Sequence, residues 1–323
     1  MELTVVIPTR DRRAILLETL ERLERQTGAV AFEVVVVDDG SVDGTGEAVR
    51  ELSGSRSYAL TLIEEQGRGP AVARNRALAV ARAPLCLFID DDSWPREDLL
   101  ARHRDFHRTH REGEAALLGR IDLPSVPPPS PFMRWMAGMH IDMAGIEDPE
   151  NVGGRRFYTG NLSMKKALLE SVGGFDERFV DHEDIDLGLR LEARGLRLHH
   201  DDGAVVEHYS PMDLSMAIER MRKSGRTLAL LAERHDRFPV PRRPGLRHRL
   251  KAVALTCLVL SGAGGRLWHE ETWRFLCHEA NREAYWDAVD APERDAVAPA
   301  RELRIGATLA RLASRHPDAR IPA

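Results

Sequence analysis

Three consecutive aspartates, Asp90-Asp91-Asp92, directly follow the apolar run Leu85 to Ile89. Like charges a few ångströms apart repel and raise each other's pKa, so a triplet held ionised is costly unless a cation offsets it. Mg²⁺ and Mn²⁺ take carboxylate oxygens and keep open positions for phosphate, which makes a diphosphate ligand the natural partner. The competing reading is an acidic turn capping a helix that begins near Pro95. A second acidic pair, Asp38-Asp39, ends another apolar run and reads equally as an ordinary Asp-Gly turn. Arg10, Arg12 and Arg13 follow the first such run, and Arg74-Asn75 sits in GPAVARNRAL, just after Gly67 and Gly69. Arginine pairs with phosphate oxygens, although each of these taken singly also fits a solvated surface position. Glu183-Asp184 opens a helical stripe carrying Leu187 and Leu191. The positive end of that helix favours the ionised carboxylate that a general base must present, and acids there also simply complement the helix dipole.

These groups meet only if the fold brings them to one place. Leu3 to Ile7 and Phe32 to Val37 are β-branched runs that predict strands buried on both faces. Between them Leu16, Leu17, Leu20 and Leu23 have helical spacing, with Gly28 as a stop. The alternation continues through a helix at 45–52, a strand at 59–63, a helix at 69–81 and a strand at 84–89. The fold class is therefore α/β, a doubly wound, mostly parallel, Rossmann-like sheet with a C-terminal helical segment. Ligands bind such sheets at the carboxyl ends of the strands, where Thr9-Arg10, Asp38-Asp39 and the aspartate triplet all fall. From Leu123 to Gly154 the composition turns to Pro, Met, Gly and aromatic residues, which predicts a long irregular loop. Met133, Trp135, Met136 and Met139 in it read either as an acceptor-facing lid or as surface packing. A helix from about Glu183 to Arg194 and a strand at Ala204 to Val206 follow. The chain then reads as helical, with Pro239, Pro241 and Pro244 marking a boundary.

Of 323 residues, 43% are hydrophobic and 30% charged, the balance of a globular chain with a sizeable core. A net charge of −5 argues against nucleic acid as a partner, so any anion must be bound locally. Cys86, Cys257 and Cys277 have no metal-like spacing and an odd count, which favours a reducing, cytoplasmic setting. MELTVVIPTRDRR does not match a secretory signal. The longest apolar stretch, Ala252 to Ala263, falls short of the ~20 residues that span a bilayer, so a soluble protein is expected. PRRPGLRHRLK, from Pro241, carries five basic residues beside it, which leaves peripheral contact of 242–263 with an anionic inner membrane face open. Homodimerisation is likewise left open.

VVIPTRDR, VVVVDDGSVDGT, GPAVARNRAL, FIDDDSWP, TGNLSMKKALLESVGGFDERF and HEDIDLGLRL occur in that order over about residues 3–210. The ordered set resembles the inverting family-two glycosyltransferases of GT-A fold. That resemblance implies that Pro8, Thr9, Arg10 and Asp39, with Asp38 beside them, hold the nucleotide base, and that Arg74 meets the diphosphate. It implies that Asp90-Asp91-Asp92 is the D-x-D motif, with Asp91 facing the ribose and Asp92 ligating Mn²⁺ or Mg²⁺. Thr159, Gly160 and Asn161 would line donor sugar and acceptor, Glu183-Asp184 would be the ED pair with Asp184 as general base, and His208 would lie near the metal and diphosphate. A histidine after a strand is also often only structural. The Q-x-x-R-W sequence of processive members is missing, since the only glutamines are Gln26 and Gln66. The expectation is a single-addition transferase using a nucleoside diphosphate sugar, uridine ranked ahead of guanosine, and a hydroxyl acceptor. Its units would be a catalytic domain at 1–238 (nucleotide-sugar half 1–122, flexible acceptor loop 123–158, acceptor half 159–238) and helices at 239–323. The alternatives are a sugar nucleotidyltransferase, which would carry a G-x-G-T-R-like loop that VVIPTRDR lacks, or a non-catalytic nucleotide- or carbohydrate-binding protein.

Overall fold

The computed structural model describes residues 1–140, 143, 145–212, 214–235, 238, 241, 243 and 269–290. Strand β1 (Leu3–Thr9), helix α1 (Arg13–Glu24), β2 (Phe32–Asp38), α2 (Thr45–Leu52), β3 (Ala59–Glu64), α3 (Pro70–Val80) and β4 (Leu85–Ile89) alternate as the sequence predicts. They are followed by β5 (Ser93–Pro95), α4 (Leu99–Thr109), β6 (Ala115–Asp122), α5 (Pro131–His140), β7 (Asn161–Lys165) and α6 (Lys166–Ser171). Then come α7 (Glu183–Glu192), β8 (Arg197–His208), α8 (Leu214–Arg234) and α9 (His269–Asp290).

The strands form one sheet in the order β3-β2-β1-β4-β7-β6-β8-β5. The first four are parallel, β7 runs antiparallel between β4 and β6, β8 is parallel to β6, and β5 is antiparallel to β8. Val5, Ile7, Val34 and Val36 pack with Leu16, Leu20 and Leu23 of α1. Val6, Val35 and Val37 alternate to the other face and meet Ala71, Ala73 and Ala77 of α3. Burial of both faces is why these strands read as unbroken apolar runs.

Two sequence expectations change. The segment 123–154 is not irregular throughout, because α5 forms within it. Phe132 and Met136, one turn apart, are buried with Ala217, Ile218 and Met221 of α8 and Cys277 and Ala280 of α9. The run Pro127-Pro128-Pro129 masked that i, i+4 spacing in the sequence. The chain also divides into two compact units near Ser210 rather than at 238. Met1–Pro128, Gly138–Arg178 and Glu183–Ser210 make one unit, and Pro129–Ala137, Phe179–His182 and Pro211 onward the other. The second unit begins before α8 because that helix packs along α9.

Cys86 and Cys277 are buried free thiols, and burial pushes each thiol up to about 12. Cys257, the apolar 252–263 stretch and most of the basic segment before it lie outside the described residues. Among the described residues no helix is long and apolar enough to cross a membrane.

Candidate active site

The sheet has a topological switch beside β1, since β2 pairs with one edge of it and β4 with the other. Thr9 Oγ1 closes this switch by donating to Asp91 Oδ2 at 2.7 Å. The aspartate triplet leaves β4 here, with Asp91 5% and Asp92 2% exposed. β5 then pairs Ser93 with His208, and Tyr209 N donates to the Asp92 carbonyl at 2.8 Å, so the end of β8 is laid over the acidic turn. His208 Nε2 comes to 3.1 Å from Asp92 Oδ1. One ligand atom each from Asp90, Asp92 and His208 lies within 4.8 Å of the other two. Arg12 reaches the same turn, its Nη1 3.0 Å from Asp91 Oδ1 and in contact with the Asp92 carboxylate. Burial and the Asp92 charge push the Asp91 carboxyl up. Burial also opposes ionisation of Asp92, but His208 and Arg12 outweigh it and hold that carboxyl well below the usual range. Two carboxylates and one imidazole form a donor set that suits Mn²⁺ or Mg²⁺, so the residues present fit such an ion.

Arg74 links this turn to α7. It is 4% exposed, and its Nη1 donates to Glu183 Oε1 at 2.5 Å while its Nη2 donates to Asp90 Oδ1 at 3.0 Å. The next residue, Asp184, accepts from Ile185 N at 2.8 Å, and its Oδ2 lies 3.4 Å from Thr159 N. Gly160 passes over Asp90, where a Cβ would lie 3.3 Å from Asp90 Oδ2. Helix α7 is seated by backbone contact, for a Cβ on Gly188 would come 2.2 Å from the Gly154 carbonyl oxygen. A buried arginine thus fixes the distance between a metal-capable cluster and a carboxylate at the positive end of a helix.

Residues 4–127 match the family model described as glycosyl transferase family 2. That stretch of the chain is similar to the family 2 glycosyltransferases. Validoxylamine A glucosyltransferase from Streptomyces hygroscopicus subsp. jinggangensis is 34% identical over 221 residues, which are 60% of this chain and 52% of that protein. Pre-mycofactocin glycosyltransferase from Mycobacterium tuberculosis is 30% identical over 248 residues, 74% of this chain and 49% of that one. The chain spans about half the length of these curated relatives. Among solved structures, mannosyltransferase PcManGT from Pyrobaculum calidifontis, in complex with GDP-Man and Mn²⁺, has 24% identity and a TM-score of 0.56, covering 97% of this chain and 80% of its own. S. aureus TarS 1-349 in complex with UDP has 19% identity and a TM-score of 0.54, covering 90% and 91%. These likenesses show the GT-A fold.

The fold gathers Thr9, Arg74, Asp90, Asp91, Asp92, Gly160, Glu183, Asp184 and His208 around one end of the sheet. Other residues singled out in the sequence have different surroundings. Asn161 is fully buried, with Oδ1 2.9 Å from His103 Nε2 and Nδ2 donating to the carbonyls of Arg120 and Ala204 at 2.9 and 2.8 Å. Its amide pins β7 to its neighbours instead of facing a sugar. Arg74 is engaged by two carboxylates where the sequence suggested a diphosphate contact. Asp39 accepts from Arg68 N and Gly69 N at 2.7 and 2.8 Å, shaping the turn into α3 where Gly69 takes φ +96°. Asp38 accepts from Ser41 N at 2.9 Å, the turn that its sequence also suggested. Pro8 is half-buried in β1, and Arg10 is exposed beside Asp11. Sequence reasoning named Arg12 only as one of three arginines. Its signal was position, since the triplet's excess charge needs a cation just beyond β1.

Proposed function

We propose that the chain is a divalent-metal-dependent, inverting transferase that moves a sugar from a nucleoside diphosphate sugar to a hydroxyl. The donor is read as uridine-linked before guanosine-linked, and the acceptor as a small molecule, a glycan or a lipid-linked sugar. The observation that carries this reading is the double engagement of Arg74 by Asp90 and Glu183, which ties the acidic turn to the residue before Asp184. The relatives support it: one is a glucosyltransferase, one solved structure holds GDP-Man with Mn²⁺, and another holds UDP. Asp90, Asp92 and His208 would hold the ion, which when bound supplies the positive charge that a departing diphosphate needs. Asp184 takes the proton of the acceptor hydroxyl as its oxygen attacks the anomeric carbon opposite the diphosphate. One C–O bond forms as the other breaks, so the anomeric configuration inverts. Residues 1–122 are read as the donor half and the elements from β7 onward as the acceptor half.

The test is transfer from UDP- and GDP-sugars with Mn²⁺, with product configuration read by NMR. Inversion, and loss of turnover in both Asp92→Asn and Asp184→Asn, are expected. Retained configuration, or full activity in both variants, would overturn the reading.

A further inference from the structure

Among the described residues, one other group of side chains brings three metal-capable atoms together: His110, Glu112 and His199, one ligand atom of each within 4.8 Å of the other two. It lies in the same compact unit as the acidic turn but at the other end of β8. His199 is near the start of that strand and His208 closes it, on the order of 30 Å apart at a strand's usual rise. His110 directly follows α4, and Glu112 lies in the link to β6, which pairs Leu117 with His199. The Lys165 ammonium donates to the carbonyl oxygens of both His110 and Glu112, which fixes the shape of this link.

His199 is 6% exposed, its Nδ1 faces a Glu150 carboxylate oxygen at 3.4 Å, and its Nε2 is buried without a hydrogen-bond partner. A buried ring nitrogen left without a partner is unfavourable unless a ligand completes it. His110 Nδ1 lies 3.1 Å from the Phe106 carbonyl oxygen, to which it donates, so Nε2 keeps the lone pair. A ligating imidazole commonly has its second nitrogen bonded to a carboxylate or a backbone carbonyl, as the His110 ring has with Phe106. The rings are 4.7 Å apart and inclined at 52°, so they do not simply stack on one another.

We propose that His110, Glu112 and His199 form a second metal site that takes Zn²⁺ or a similar borderline ion, separate from the acidic turn. Two imidazoles and one carboxylate with an open position are a zinc-type set, whereas the oxygen-rich set of Asp90, Asp92 and His208 suits Mn²⁺ or Mg²⁺. The ion would clamp the end of α4 to the first residues of β8.

The test uses the untagged full chain, stripped with chelator and titrated with Zn²⁺ against a chromophoric competitor, and with Co²⁺ by its visible absorbance. Asp92→Asn serves as the background, which removes the acidic site from the count. In that background one equivalent of Zn²⁺ should bind and raise the melting temperature. His110→Ala and Glu112→Gln, both at positions with exposed surface, should each weaken binding at least about tenfold, and His199→Ala should abolish it. Tight Zn²⁺ binding unchanged by His110→Ala and Glu112→Gln, or no binding in the Asp92→Asn background, would overturn the proposal.

Discussion

The two halves of the sheet solve the same packing problem by different means. In the parallel half, β3-β2-β1-β4, the interior is mostly Val, Ile and Leu with Cys86 and Phe88, a buried Thr4–Glu33 pair lies at the strand starts, and the polar residues of interest stand at the strand ends. In the mixed half, β7-β6-β8, polar side chains enter the interior. His103, 0% exposed, contacts Ser163 Oγ at 2.7 Å and Asn161 Oδ1 at 2.9 Å, and His107 Nε2 lies 2.9 Å from the same serine. The cause is local. The β6–β8 register shifts between Gly119 and Arg120, which takes the carbonyls of Arg120 and Ala204 out of the regular ladder. Asn161 Nδ2 donates to both, in a space that Gly119 leaves open, since a Cβ there would lie 2.2 Å from that nitrogen. In the parallel half the buried polar pair Thr4 and Glu33 sits at the strand starts, where it bonds to the backbone entering β4. An inserted antiparallel strand and a bulge need buried polar groups, and those must be fully satisfied.

The contrast can be broken at its ends first. Asp184→Asn removes the proposed base with little change in shape, and kcat/KM should fall about a thousandfold in a donor–acceptor assay. An equal melting temperature alongside that loss would separate chemistry from folding. Arg74→Ala leaves Glu183 and Asp90 facing each other without their shared cation, with Glu183 5% and Asp90 about one-third exposed. Denaturant unfolding should show a loss of about 3–5 kcal/mol, together with lost activity.

Apolar replacement then distinguishes the halves. Leu87→Met in β4 should cost less than about 1.5 kcal/mol, as volume-conserving core changes do. Asn161→Leu in β7, similar in bulk, leaves two carbonyls and His103 unsatisfied and should cost on the order of 3 kcal/mol. If the two cost the same by chemical denaturation, the polar interior of the mixed half contributes nothing distinctive.

The contrast also has a pH dependence. Burial lowers the His103 pKa from 6.5 to about 4, and burial with the neighbouring His103 and Lys165 lowers His107 to about 3. Between pH 6.5 and 4 the unfolded chain binds protons that the folded chain refuses, so stability is full above the ordinary histidine pKa and falls as the solution becomes more acidic. His103 alone should lose about 2 kcal/mol between pH 7 and 5. His103→Gln should flatten the slope of unfolding free energy against pH in that range. An unchanged slope would mean that His103 is not held neutral by burial.

Much of the parallel half was legible in the sequence because its signals are local. Continuous β-branched runs mark strands covered on both faces, leucines at helical spacing mark α1, and Asp triplets or Gly-rich entries after a strand mark ligand-facing ends. That was enough for the fold class and for the expectation that Thr9, Asp91, Asp92 and Arg74 meet. The mixed half gave weaker signals. β7 is short, His103 looks like any surface histidine in a helix rich in arginine, and the prolines before α5 concealed its buried face.

What the sequence determined by itself is the set of chemical groups and the sheet edge to which they belong, since strand direction and alternation are properties of neighbouring residues. Only the tertiary structure decided how those groups are paired. Arg74 bonds to residues 16 and 109 positions away, Arg12 reaches Asp91 and Asp92 across two strands, and Asn161 turns inward to a bulge instead of outward to a ligand. Such choices depend on which desolvated charge lies nearest which carboxylate once the chain is packed, and no local spacing encodes that distance.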